Sequence, residues 1–256
     1  MKKLLIAAAV SAACAAPLTV QAQTPAPAAA TPDHTVTGNM AIVSDYRFRG
    51  ISQTGMDPAI QGGIDYSHSS GFYLGNWNSS VTSDSFIDGA GIEMDFYGGF
   101  KIPIGEATLD IGGLYYFYPD AEIVDGEKYD TFEAYVGLSY GPISGKIWYA
   151  VTDWFGVTED SGYEDDTDGS IYYEVNGTFP LADQWSLVAH VGYQDVKGNN
   201  GDLDYMDWKL GVVYDWSGWM LGAAVVGSDA DDDFYFVDNN DATGDTTVVL
   251  SVSKTF

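Results

Sequence analysis

The sequence predicts an all-β chain: one antiparallel transmembrane β-barrel of about twelve strands, ten or fourteen being the neighbouring counts. Three observations carry this. Apolar and polar residues alternate with period two over segments of about ten residues, the length a tilted strand needs to cross a bilayer. The connections alternate between short turns and long loops, as on the two rims of a barrel. The acidic residues gather in the long loops, and those within strands fall on the less apolar face.

Composition narrows the function classes first. The 256 residues hold 10 Lys+Arg against 37 Asp+Glu, a net charge of −27. Nucleic-acid binding needs a basic surface that this chain does not have, and an anionic membrane face would repel it. Hydrophobic residues make up 46% and aromatics 14%, too rich for a disordered chain. Beyond the first twenty residues no apolar run is long enough for a membrane helix.

Residues 1–22 read as a cleaved signal peptide: Lys2 and Lys3, an apolar stretch from Leu4 to Ala16, and Val20-Gln21-Ala22 as the cleavage site. The rival lipoprotein signal would acylate Cys14, but Ser11-Ala12-Ala13-Cys14 carries no Leu three residues before it. Cleavage removes Cys14, the chain's one cysteine, so no disulfide can hold the exported protein. Residues 23–34 form a Pro/Ala-rich linker and 35–256 the barrel.

The first strand is expected to run from Val36 to Arg49, with Val36, Met40, Ile42, Tyr46 and Phe48 on the lipid face and Ala41, Val43, Asp45, Arg47 and Arg49 opposite. The alternation repeats over 91–101, 108–118, 131–140, 170–179, 185–194 and 205–216, and more weakly over 59–68, 72–81, 145–153 and 219–228. The last strand is 246–256. Faces cannot be assigned for 72–81 and 219–228. Short turns fall at 69–71, 102–107, 141–144, 180–184 and 217–218; the long connections are 50–58, 82–90, 119–130, 153–169, 195–204 and 228–245. This pattern puts the short turns in the periplasm and the long acidic loops outside the cell. Aromatics at strand ends suggest two interfacial girdles: Tyr140, Phe179, Trp185, Trp219 and Phe256 near the turns, and Tyr46, Phe48, Tyr115 to Tyr118, Trp154 and Tyr193 near the loops. The terminal Phe256 reads as a membrane-insertion signal for the barrel-assembly machinery.

Ser44-Asp45-Tyr46-Arg47-Phe48-Arg49-Gly50-Ile51-Ser52-Gln53-Thr54 resembles the opening block of the TorF-type porin family, also called Gcw_chp. Pro58 to Tyr66, Ser70 to Tyr73, Glu93, Asp95, Tyr97-Gly98-Gly99 and the terminal Lys254-Thr255-Phe256 extend the resemblance over most of the exported chain. It implies a Gram-negative outer-membrane barrel with a porin role. It implies no catalytic residue, ligand residue or cofactor.

Function then depends on the inner face. The candidate pore-lining residues are Asp45, Arg47, Arg49, Asp65, Glu93, Asp95, Asp110, Glu133, Lys146, Glu174, His190, Asp207 and Lys209; Asp215 falls on the same face, and Lys101 lies near a rim. One reading is a water-filled pore for small hydrophilic solutes, cation-preferring because carboxylates outnumber bases. A second is a lumen packed by pairing of those same charges, with the loops binding divalent cations or lipopolysaccharide. Asp166, Asp168, Asp229, Asp231 and Asp233 are weak metal candidates; the frame beginning at Glu164 has Val175 where a calcium loop needs Glu. A third is a membrane-embedded lipid hydrolase built on His190 with Ser186, or on His68. No motif calls for a cofactor, and the expected partners are outer-membrane lipid, lipopolysaccharide and the solute. A monomer is expected.

Overall fold

The computed structural model describes residues 32–82, 89–124, 127–198, 201, 203–232, 234–237 and 241–256. The signal peptide and nearly all of the linker lie outside these residues, as does Asp233. Twelve strands form one closed barrel. In chain order they are β1 His34–Val43, β2 Ala59–His68, β3 Phe72–Ser80, β4 Ile92–Ile104, β5 Ala107–Phe117, β6 Thr131–Tyr140, β7 Ile143–Ala150, β8 Ile171–Ala182, β9 Trp185–Asp195, β10 Tyr205–Trp216, β11 Trp219–Ser228 and β12 Thr247–Thr255. Each pairs antiparallel with its neighbours in sequence, and β1 closes on β12 with Met40 opposite Lys254 and Val43 opposite Ser251. Closure leaves no wall strand with an open edge, which is what a sheet in hydrocarbon requires.

The alternation assigns the faces. On β6, Phe132, Val136, Leu138 and Tyr140 point out, while Thr131, Glu133 and Tyr135 are buried inside. On β10, Met206, Trp208 and Leu210 point out, and Tyr205, Asp207 and Val213 point in. The two unassigned segments follow the same rule. On β3, Tyr73, Trp77 and Ser79 are inside and Leu74 outside; on β11, Met220 and Val226 are inside and Val225 outside. Asn76 and Asn78 therefore stand on the outer side of β3. Their amides are satisfied locally: Asn78 donates to Asn76 Oδ1 at 2.7 Å, and Asn76 donates to the Asp95 carbonyl at 2.9 Å.

The first strand departs from expectation. It begins at His34 and ends at Val43, not Arg49. Residues 44–58 (loop 1) leave the wall and fold inward, carrying a miniature hairpin of Arg47–Phe48 and Ile51–Ser52. Period two persists because this segment is still extended, but it pairs with itself. Tyr46 and Phe48, expected on the lipid face, are buried within the barrel. The hairpin tip is Arg49-Gly50, with φ of 45° and 83°, the double positive-φ turn that suits the twist of a two-residue hairpin. Phe155-Gly156 in the 151–170 loop, at 47° and 74°, is a second turn with two positive φ angles, though no strands flank it. The rings of Phe48 and Phe155 meet at 5.5 Å.

The girdles are also partly corrected. Tyr140, Trp185, Tyr193 and Phe256 are exposed on the outer side near strand ends, joined by Trp216. Tyr116, Tyr118 and Trp154 are buried inside or beneath the loops. They join one aromatic cluster with Trp148, Tyr172, Tyr205 and Tyr235. Burial pushes the Tyr235 phenol well above its ordinary range, and its hydroxyl donates to the Leu203 carbonyl at 2.9 Å.

Gly50 is required twice over. Its φ is left-handed, and a Cβ there would sit 2.7 Å from Asp207 Cβ and 3.0 Å from the Gly227 carbonyl oxygen. Gly50→Ala is expected to destabilise the barrel by about 1–3 kcal/mol. Gly141→Ala, left-handed but in open space, should cost only the smaller backbone term of about 1 kcal/mol. Urea titration of both variants followed by tryptophan fluorescence checks the order.

Candidate functional site

Loop 1 springs from β1 and reaches strands on the far side of the ring. The Arg49 guanidinium donates through Nη2 to Glu133 Oε2 on β6 at 2.6 Å and through Nη1 to Gln194 Oε1 on β9 at 2.7 Å. Its Cζ lies 4.1 Å from the ring centroid of Tyr172 on β8 and 5.9 Å from that of Trp148 on β7. Tyr116 on β5 adds a hydroxyl bond to Glu133 Oε2 at 3.0 Å. The side chains of Arg49 and Glu133 are 0% and 1% exposed. A buried charge survives only when paired and hydrogen-bonded, and here the pairing joins a loop to the opposite wall.

The base of the hairpin is fixed by a second ion pair. Arg47 Nε donates to Asp45 Oδ2 at 2.5 Å, and its Nη1 reaches the carbonyls of Gly50, Thr243 and Asp245. Asp45 Oδ1 also accepts from the hydroxyls of Ser52 and Thr54. Ser52 N donates to the Thr243 carbonyl at 2.9 Å, tying loop 1 to the 229–246 connection.

Most of the remaining candidates form a belt across the wall. Lys101, Asp110, Gly137, Lys146 and Glu174 stand opposite one another in register from β4 to β8, and the row continues through Gly192 to Asp207. Lys146 lies 3.6 Å from Asp110 and above the rings of Tyr135 and Trp148. Tyr73 donates to Asp110 at 2.6 Å, and its hydroxyl also meets that of Tyr135. Trp148 Nε1 and Asn176 Nδ2 donate to Glu174 at 2.9 and 2.7 Å. His190 contacts Asn176 Oδ1 through Nδ1 at 2.8 Å and Asp207 through Nε2 at 2.7 Å; Tyr172 donates to the same Asp207. Lys209 stands opposite His190 on the adjoining strand. Nearer the outer end, Glu93 accepts from Tyr46 at 2.8 Å and Asp95 is fully buried. Asp65 accepts from Tyr97 and Asn39. Asp215 accepts from the Gly218 amide in a periplasmic-type short turn.

The other sequence candidates do not assemble into sites. Ser186 and His190 are four residues apart on one strand, about 13 Å along it, and both His190 nitrogens are engaged elsewhere. His68 bonds Ser70 Oγ at an exposed turn. The metal candidates have separate local tasks: Asp166 accepts from the Glu159 amide, Asp168 pairs with exposed Lys197, and Asp229 accepts from the Met206 amide. The Asp231 carbonyl accepts from the amides of Phe234 and Tyr235. No three acids, histidines or cysteines converge as a metal set among the described residues. Phe256 prolongs the β1–β12 seam, its amide donating to the Gly38 carbonyl at 2.8 Å.

Sequence reasoning missed Gln194, Tyr172, Trp148 and Tyr116 as the receptor for Arg49. Each sits on an inward position of its strand, so the alternation could have named the face but not the partner.

The model of the Gcw_chp family, described as a bacterial protein of unknown function, matches residues 27–256. The chain belongs to that family. No curated protein matches it. Among solved structures, this Gcw_chp member is similar to the KdgM porin, with a TM-score of 0.51 at 8% identity, over 86% of this chain and 98% of that one. It is similar to the KdgM porin in complex with disordered oligogalacturonate over the same shares, with a TM-score of 0.52 at 9% identity. At such identities the likeness establishes the fold, a porin-type barrel.

Glu133→Ala is expected to destabilise the protein by about 3–5 kcal/mol, because it leaves the buried Arg49 charge uncompensated. Glu133→Gln, which keeps the acceptor oxygen, should lose less. Equilibrium unfolding in detergent ranks the two.

Proposed function

We propose that the protein is an outer-membrane porin-type channel for passive diffusion of small hydrophilic solutes, preferring cations, with loop 1 narrowing its lumen. The observation that carries this reading is the two-faced wall: an outer surface of Val, Ile, Leu, Phe and Tyr around an inner surface rich in buried charged and polar side chains. Only a barrel set in lipid has use for that polarity. The predicted signal peptide and the terminal Phe256 are in keeping with export and assembly into the outer membrane, as a monomer among lipid and lipopolysaccharide.

Cation preference rests on the mouth more than on the lumen. Within the barrel Glu133, Asp110 and Asp45 each stand beside a base. The loops carry Asp120, Glu159, Asp160, Glu164, Asp165 and Asp166, which form a negative vestibule that raises local cation concentration. The oligogalacturonate of the similar porin is a polyanion, and this charge pattern does not favour it. The alternative hydrolase reading draws no support from His190, whose nitrogens are engaged away from Ser186.

In planar bilayers under a KCl gradient, the refolded protein is expected to show small conductance steps and a reversal potential of cation sign. Replacing residues 46–53 by a short Gly-Ser segment should raise the step severalfold. An anion-sign reversal potential, or a loop variant with unchanged conductance, would contradict the reading. The wall itself gives a separate check. Val136→Arg, on the outer face at mid-strand, is expected to cost about 2–4 kcal/mol in lipid, and Ser139→Arg on the inner face much less, measured by urea titration in liposomes.

A further inference from the structure

Arg49 occupies a receptor whose parts all come from the far wall: the Glu133 carboxylate, the Gln194 amide oxygen and the ring of Tyr172, with Trp148 behind. A carboxylate, a neutral acceptor and an aromatic face are the groups that bind a planar organic cation. We propose that this pocket is a binding site for solutes bearing an alkylguanidinium group, and that Arg49 is the internal stand-in such a solute displaces.

Two features of Arg49 mark it as an imperfect occupant. Its backbone is left-handed, at φ 45°, where Asn or Gly is the usual choice in a turn of this type. An arginine held there carries strain that a free solute would not. Its Nε–H, moreover, is buried with no hydrogen-bond acceptor among the described residues. The pocket thus recognises the two terminal nitrogens and leaves the third unanswered, so it reads the head of a guanidinium and not the peptide that carries it. Displacing Arg49 frees the hairpin tip from strands β6 to β9, which would widen the passage that loop 1 fills. The proposal deepens the channel reading by naming a solute class, and it rests on that reading for its role in transport, not for the binding itself.

The test is chemical rescue, which needs no conduction. Arg49→Ala should lower the melting temperature in detergent, and about 10 mM methylguanidinium chloride should restore much of the loss, since a ligand of the folded state stabilises it by mass action. Equimolar sodium or tetramethylammonium chloride should restore little, because neither offers the paired N–H donors. Adding Glu133→Gln should abolish the rescue. The unmodified protein gives a second measurement should Arg49→Ala not fold: methylguanidinium, but not sodium, should speed amide exchange of residues 45–54 severalfold. No rescue in a folded Arg49→Ala protein, equal rescue with Glu133→Gln present, or unchanged exchange at 45–54 would each overturn the site. Silent bilayers together with intact rescue would defeat the channel and leave the pocket standing.

Discussion

One buried guanidinium organises the inside of this barrel. Arg49 carries its charge from a loop attached at β1 to acceptors on β6 and β9, and around it the lumen is packed with aromatic rings. A charge placed there without Glu133 would be too costly to keep buried. The ion pair therefore dictates that loop 1 must cross the lumen, that the turn must be tight, and that Gly50 must have no side chain. The second pair, Arg47 with Asp45, does the same for the hairpin base.

The wall solves a different problem. A closed ring satisfies its own backbone and so tolerates an interior of any polarity. Here the interior is a cross-strand belt of alternating charge tied together by tyrosines, tryptophan and His190. Each acid in the belt is matched by a base or by a neutral hydrogen-bond donor. The belt itself is close to neutral, and much of the acidic surplus of the chain sits in the loops. Loop 1, an inner element outside the hydrogen-bonded wall strands, is the natural place for the proposed passage to change width.

The barrel was legible in the sequence because burial in a two-faced sheet writes period two into every strand. The strand count, the turns and the inward set from Glu93 to Asp207 all follow from that one rule. It failed where the same periodicity served another end. The segment from Ser44 to Phe48 alternates, yet it forms a private hairpin, and the only local hint was Arg49-Gly50 as a turn. It was silent for β3, where Asn76 and Asn78 face outward by bonding each other and neighbouring carbonyls. The partners of Arg49 were beyond reach, since they lie on consecutive strands from β5 to β9, and only closure of the ring sets a loop that leaves β1 opposite them. Single-residue alternation carries no information about which strands face each other across a lumen.

The docking of loop 1 across the barrel is the claim on which the rest depends, and amide hydrogen exchange of the refolded protein in lipid tests it most directly. Residues 45–54 are expected to exchange as slowly as the wall strands, because Ser52 and Gln53 donate to the buried carbonyls of Thr243 and Tyr46 and the segment is enclosed. Exchange of 45–54 as fast as that of the exposed 159–166 stretch would contradict the account.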